Sequence, residues 1–540
     1  MIEDWSTRAP RLLHVLREFL RSHSTVARVF LWLVALSLVI LGLYWVVLAP
    51  ILGDDLVFVT FGGLGTLWSD QGLAGLLSLW WDASVGSNHV TPLNGLVYVG
   101  QIVVISGLSH LGIPIAWAWG ALRLFWIMLA LVSASWMLEH WFHYMTNRSN
   151  PQKLPLLVFF SGISAVFIAI IQLRALWAND SVLSYSVAAW LTAALAFIFV
   201  GLIPKFFDTK SPSQCKPITL AAVIAITGIL IYELMVVAIA AGAFALIAIW
   251  FIERKEFGWR QLVYPMVLAI FLPAVIFLLT QYARTFWPSW YSGTQTGYAD
   301  WVIPVTLYAV LNTFPLTNLP KAFAVSEQVY LDFLFVGSVV FAVVGLFWLF
   351  VWQLGQLQVV QTVRLGKQFT IRTLIFMLVL LVLWGGSGLV FAVSAKYQVE
   401  LGTELGTTYL HYSFGLLSLT VFVVATLLFT WTSARWLSVA LIAITLSIGI
   451  AQALTNSIVT SELNAEKSWT RDLANSQAAG YSLDARCELD RQLEESGLPQ
   501  IQIAAIRAGL YRTSIDLNKV SRNCAKFRGQ VSRPENLTLN

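Results

Sequence analysis

Charge is what this 540-residue chain lacks: 11% of its residues are Asp, Glu, Lys or Arg, against 58% apolar residues. A soluble domain carries roughly a quarter charged residues, so a surface that faces water on all sides is excluded. Cysteine is scarce as well, with three in the whole chain, which excludes a disulfide-dense scaffold and a cysteine-rich zinc module. Lys and Arg are absent from 50 to 114. Internal repeats and low-complexity segments are absent too. The net charge of +5 comes from cations scattered in short loops and in the tail rather than in one basic stripe, so nucleic acid is not an expected partner.

What remains is long apolar runs, 24 Trp and a mean hydropathy of +0.74. These specify an all-α polytopic membrane protein. The first run, about 27–49, is too long for a cleavable signal, and no small-residue cleavage site follows it. Ahead of it, Arg11, Arg17, Arg21 and Arg28 accompany Leu12, Leu13, Leu16, Phe19 and Leu20. That pattern fits a basic amphipathic helix on the membrane surface or a plain cationic flank. Both place the N-terminus in the cytoplasm. Further spans are predicted near 115–138, 154–173, 182–203, 218–232, 235–252, 261–281, 330–352, 373–395, 409–430 and 435–453, eleven in all, with the C-terminus extracytoplasmic.

Two apolar runs in the first outer loop (about 50–114), at 64–81 and 93–108, are read as helices lying along or dipping into the outer surface. Each is short of the roughly 20 residues a span needs. With both kept outside, Lys205, Lys210, Lys216, Arg254, Lys255, Arg260, Arg364, Lys367, Arg372 and Arg435 fall on the cytoplasmic side, as membrane topology favours. The second and third outer loops are about 174–181 and 282–329. The chain divides into a transmembrane domain, 1–453, and a small extracytoplasmic helical tail, 454–540, with helical patterns near 483–495 and 500–512. Cys487 and Cys524 share that tail and are candidates for one disulfide. The expected setting is the plasma (cytoplasmic, or inner) membrane.

Asp54-Asp55, after Gly53 at the outer end of the first span, are the most telling residues. Ionisable groups at such a position are costly to hold without a use. Either alone can cap a helix; as a pair they can share a proton or hold a divalent cation, and both routes suit one carboxylate to act as a base. The same face collects His89, Arg174, Asn179, Asp180, Glu233, Arg284, Lys321, Lys396, Glu400, Glu404 and His411. Cations there can receive a phosphate leaving group. Asp180 fits a helix cap as well as an acceptor-orienting role, and Arg174 a phosphate contact as well as an interface anchor. Arg123 is read as structural, pairing or snorkelling within the bundle. The set points to transfer of a group from a lipid-linked phosphate to an acceptor hydroxyl at the outer interface.

Over about the first 210 residues the order of elements resembles the GT-C glycosyltransferases, integral-membrane enzymes that use polyprenyl-phosphate sugars, such as mannosyltransferases and aminoarabinose transferases. The residues that carry the likeness are Asp54-Asp55 after the first span and His89-Val90-Thr91-Pro92-Leu93 before a surface helix. Gly120-Ala121-Leu122-Arg123-Leu124 opens the second span, and Arg174 with Asp180 lies in the second outer loop. The late Arg-Tyr element of many relatives is replaced by Thr407-Thr408-Tyr409-Leu410-His411-Tyr412, without the Arg. The resemblance implies a polyprenyl-phosphate sugar donor and a glycan, lipid or protein acceptor. It implies Asp54, Asp55 and Asp180 as catalytic residues, and His89, Arg174, Lys396 or His411 as contacts to the donor phosphate. Direct base action and a divalent cation held by Asp54 and Asp55 both remain open. A lipid-linked sugar transporter or flippase, and an outer-face polysaccharide polymerase or ligase, are the alternative readings.

Overall fold

The computed structural model describes residues 24–52, 72–86, 91–146, 155–173, 182–185, 187–207, 215–284, 302–325, 331–356, 367–393 and 411–475, together with isolated residues between them, Asp55 included. Among these, every regular element is a helix, and ten helices are long and apolar enough to cross a membrane. The chain is a multi-pass, all-α membrane protein. In order the helices are α1 (Ser24–Leu48), α2 (Gly72–Gly86), α3 (Pro92–His110), α4 (Ile115–Met145), α5 (Leu156–Ile170) and α6 (Thr192–Leu202). There follow α7 (Cys215–Ile231), α8 (Met235–Glu253), α9 (Arg260–Pro265), α10 (Leu272–Arg284), α11 (Val302–Leu311) and α12 (Leu319–Val325). The last five are α13 (Phe333–Gln356), α14 (Lys367–Ala392), α15 (His411–Ser433), α16 (Arg435–Lys467) and α17 (Trp469–Asn475). A π turn at Val187–Leu191 leads into α6, and another at Met266–Phe271 joins α9 to α10.

The centre of the bundle is α5. A helix apolar on every side must be enclosed by others, and Leu157 to Ile170 are all buried, against α1, α4, α13, α15 and α16. Small residues let those neighbours come close: a Cβ on Gly162 would stand 2.9 Å from Phe350, and one on Gly449 would stand 3.0 Å from the Cβ of Ala169. At 1.5 Å per residue α5 covers only about 22 Å, short of a hydrocarbon core. Beyond it, residues 171–173 continue without regular structure, starting from an extended Ile171. Around this centre α6 packs on α4 and α7, and α14 packs on α8, α11 and α15.

The bundle has two distinct ends. At one, Ile51, the first turn of α4 (Ile115, Trp119), Val187, Ile231 and Ala474 share an apolar cluster with Tyr98, Val99, Ile102 and Ile105 of α3. This is the Asp55 end. At the other, about 44 Å away along α4 from Ile115 at 1.5 Å per residue, Tyr144, Glu253 and Arg372 meet. Arg372 Nη2 lies 2.9 Å from Glu253 Oε1, which also accepts the Tyr144 hydroxyl at 2.7 Å; Arg372 Nη1 donates to the Tyr144 carbonyl at 3.1 Å. The ion pair is buried, and the Tyr144 hydroxyl and carbonyl add hydrogen bonds to it, which helps offset the cost of burying charge.

Several expectations are corrected. Among the described residues ten helices qualify as spans, in keeping with the roughly eleven expected, but their membership differs. They include 92–110, because the Gly112 backbone (φ +83°) ends α3 only after Ser109 and His110, giving 19 residues, as many as α8 has. Shortness therefore does not keep α3 out of the membrane; its packing is what assigns it to the Asp55 end. The expected spans 154–173 and 218–232 hold helices of 15 and 17 residues. The last span does not stop at 453. The composition turns polar there but nothing breaks the helix, and α16 runs 33 residues to Lys467. The loop 282–329 contains α11 and α12. The break between α7 and α8 falls at 232–234, where the sequence places it. In the tail, Arg491 and Glu495 are helical and ion-paired at 2.6 Å; Cys487, Cys524, the 500–512 pattern and the basic segment before residue 24 lie outside the described residues.

Two predictions follow from close packing and buried charge. A Cβ at Gly120 would meet the Val47 carbonyl oxygen at 2.2 Å and its Cα at 2.7 Å, whereas a Cβ at Gly100 meets nothing within 4 Å. Gly120→Ala is expected to cost about 1–3 kcal/mol and lower the thermal midpoint in detergent, with Gly100→Ala unchanged; equal midpoints would refute the contact. Glu253→Ala, which strands Arg372, is expected to cost about 3–5 kcal/mol. The paired change Glu253→Leu with Arg372→Met should recover most of it by the same assay.

Candidate functional site

The Asp55 end begins with the way α1 stops. The last carbonyls of a helix have no partner within it, and here two guanidinium groups supply partners. Arg123, fully buried on α4, donates from Nη1 and Nη2 to the Pro50 carbonyl at 3.1 and 3.2 Å, and from Nη1 to that of Ala49 at 3.5 Å. Arg471 donates to the Leu48 carbonyl at 3.0 Å. Cations also complement the negative end of the helix dipole. Gly120, one turn before Arg123, is where the α4 backbone touches α1. The Gly-x-x-Arg spacing thus has a physical content: glycine for the approach, arginine for the cap, and a fixed exit for the chain five residues before Asp55. Asn475 at the end of α17 accepts the Ala116 N–H at 3.1 Å, so α17 is also held at this end.

Asp55 is buried, and its Oδ1 accepts the Tyr185 N–H at 3.2 Å. Tyr185 has φ +54°, a left-handed conformation that is uncommon for a bulky residue and is retained where surrounding contacts impose it. Its carbonyl accepts the Ala189 N–H at 2.8 Å, starting the π turn that leads into α6. The acid of the first loop is therefore pinned to the segment that leaves the second loop, five residues after Asp180.

The first turn of α15 touches both flanks of that second loop. Ser413 donates to the Ala189 carbonyl at 3.1 Å, and the Tyr412 hydroxyl accepts the Gln172 N–H at 2.9 Å. His411 is buried beside the Phe391 ring, at 5.4 Å between centroids.

A network of amides holds the flank before Arg174. The Leu173 N–H donates to Asn456 Oδ1 at 3.0 Å, and Asn456 Nδ2 donates to the Ile171 carbonyl at 2.8 Å. Asn318 Nδ2 donates to the Leu173 carbonyl at 2.6 Å; Gln172 Nε2 donates to the Asn312 carbonyl at 2.7 Å. Gln452 joins them, donating to Asn456 at 2.9 Å and accepting the Leu316 N–H at 2.7 Å. Beside it Asp332 caps α13 through the Leu334 and Phe335 N–H groups, each at 3.0 Å, and donates its own N–H to Ser457 at 2.8 Å. Non-helical backbone inside an apolar bundle leaves N–H and C=O groups that must find partners, and these side chains supply them.

Of the residues named from sequence, Asp55, Glu233 and His411 are described and lie at this one end, while Arg284 and Lys321 fall in α10 and α12 with their side chains outside the description. Asp54, His89, Arg174, Asn179, Asp180, Lys396, Glu400 and Glu404 lie outside the described residues. Arg123 is structural, as read. Among the described residues no group of three His, Cys, Asp or Glu side chains could hold a metal ion; of the pair named for a cation, Asp54 is not described. Chemically, the Asp55 end offers a carboxylate at a fixed position beside the second loop. The amide network escaped the sequence reading. Its signal was present in Gln452 and Asn456, amides four apart that share one helix face. Comparison of the chain with family models, with curated proteins and with solved structures gives no match.

Asn456→Leu removes partners from the Leu173 N–H and the Ile171 carbonyl, and is expected to cost about 1–3 kcal/mol for each group left unmade. Ser447→Ala, on the exposed face of the same helix, should change stability by less than about 0.5 kcal/mol. Thermal unfolding of the two variants side by side checks the pair; equal effects would refute the bracing role.

Proposed function

We propose that this protein is a membrane glycosyltransferase that moves a sugar from a polyprenyl-phosphate donor to an acceptor hydroxyl at the extracytoplasmic face of the plasma or inner membrane. The N-terminus is cytoplasmic in this reading, and the Asp55 end faces outward. The observation that carries it is the buried Asp55 carboxylate, held against the exit of the second loop at an end of the bundle where a lipid-linked donor would meet water. Support also comes from the likeness of Asp54-Asp55, Gly120 with Arg123, and Arg174 with Asp180 to the GT-C pattern.

In this mechanism Asp54 or Asp55 takes the proton of the acceptor hydroxyl. The oxygen attacks the anomeric carbon from the face opposite the phosphate. The new C–O bond forms as the bond to the phosphate oxygen breaks, so the anomeric centre inverts and the electron pair leaves on the polyprenyl phosphate. His89, Arg174, Lys396 or His411 neutralises that phosphate, a role charge-assisted hydrogen bonds fill well. Asp180 orients the acceptor. A divalent cation held by Asp54 and Asp55 is the other route to the same transfer. The acceptor is a glycan, a lipid or a protein hydroxyl.

The test is transfer in native membranes from a panel of radiolabelled polyprenyl-phosphate sugars, comparing the natural chain with Asp54→Asn/Asp55→Asn, with and without a chelator. Loss of the general base is expected to lower the rate on the order of 10²–10⁴-fold. Undiminished transfer by the folded double variant would sink the assignment. A folded natural chain that transfers from no donor would favour a transporter of lipid-linked sugars.

A further inference from the structure

The end opposite Asp55 carries a second concave surface, unrelated to the site above. Phe207 and Phe257 meet edge to face at 5.4 Å between centroids, which brings the start of α9 beside the end of the α6 segment and the start of α7. Between α7 and α9 lies a cleft of about 400 Å³ walled by Ile218, Trp259, Arg260, Gln261 and Tyr264; a second, of about 430 Å³, adjoins it at Cys215 and continues past Lys216, Leu220 and Val223. Tyr264 and Cys215 both line the first cleft.

The rim is cationic. Among the described residues, Lys216 and Arg260 line the clefts and are exposed, and Arg254, Lys255 and Glu256 are exposed in the turn before α9. Glu253 does not offset them, because it is buried against Arg372. Below the rim the surface turns apolar and stays exposed, at Leu220, Val223, Val263, Val267 and Phe271. A surface with cations at one level, Trp259 and Tyr264 beside them, and bare hydrocarbon beneath matches one kind of molecule: an anion with an apolar tail. Amphipathic aromatic rings sit at the headgroup level, and basic pockets between membrane helices bind anionic headgroups. The two cations lining the clefts come from different helices, so the charge converges on a concavity rather than spreading along one loop.

We infer that the cleft between α7 and α9 binds one anionic glycerophospholipid of the surrounding leaflet. Its phosphate lies between Lys216 and Arg260, and an acyl chain runs along Leu220 and Val223. The lipid ties α7 to α9 at the end of the molecule away from Asp55.

The full chain, purified in detergent, is titrated with phosphatidylglycerol or with phosphatidylcholine, and bound lipid is counted by native mass spectrometry. One phosphatidylglycerol is expected to be retained in preference to phosphatidylcholine. Lys216→Gln/Arg260→Gln should weaken that retention on the order of tenfold. Arg435→Gln, an exposed cation on α16 outside the clefts, should leave it unchanged. Equal retention of the two lipids would overturn the site. So would an Arg435→Gln loss as large as that of the double variant, since charge anywhere on the surface would then account for binding.

Discussion

A guanidinium buried among hydrocarbon side chains persists only where its donors are satisfied, and Arg123 finds acceptors on the carbonyls that end α1. The Asp55 end is organised around this contact. It fixes where the first helix stops, and through Gly120 it sets how closely α4 lies on α1. The chain between Pro50 and Asp55 leaves from a defined point as a result. Arg471, arriving from far along the sequence, secures the neighbouring carbonyl of Leu48 and ties the end of α16 and the start of the tail to the same place. Backbone carbonyls are thus acceptors for both cations, and the carboxylate of Asp55 accepts the Tyr185 N–H after the second loop.

The two ends of the bundle solve the problem of buried polarity in different ways. At the Glu253 end the buried Arg372–Glu253 pair, joined by Tyr144, links α4, α8 and α14. At the Asp55 end, neutral amides on α16 and in the segment between α11 and α12 satisfy the non-helical backbone at 171–173. Neutral amides carry a smaller desolvation cost than charges. They permit irregular backbone where the central helix α5 falls short of a full crossing. That irregular stretch is what delivers the chain to Arg174 and the second loop, and the strained Tyr185 marks where the chain returns. Both flanks of the loop are anchored to α15, so the loop is fixed at each end relative to Asp55.

Much of this was legible in the sequence. Hydropathy located most of the long helices, because in a bilayer an apolar run of sufficient length has few alternatives to a helix. The Gly120 and Arg123 spacing was visible, and so was the break at Tyr232-Glu233. The boundaries that failed did so for physical reasons. Polar residues at 109–110 and beyond 453 read as loop, yet no proline or capping glycine stopped the helix at those points. The enclosed helix α5 could be shorter than a span because its far end continues in non-helical form. The amide network was the least legible part. Its partners are separated by more than a hundred residues, and single Asn or Gln residues in apolar runs do not announce which backbone groups they will meet. The carboxylate of Asp55 could be singled out from sequence, but its link to Tyr185 depends on the fold.

The proposed chemistry requires a lipid-linked phosphate to be handled at the Asp55 end. Photo-cross-linking tests it most directly. A polyprenyl phosphate with a photoreactive group on its first isoprene unit would be irradiated with the full chain in lipid nanodiscs, and the labelled peptides mapped by mass spectrometry. Labelling is expected of segments flanking Asp55, residues 171–191 and the start of α15, diminished by excess unlabelled polyprenyl phosphate. Competed labelling confined to the Glu253 end would contradict it.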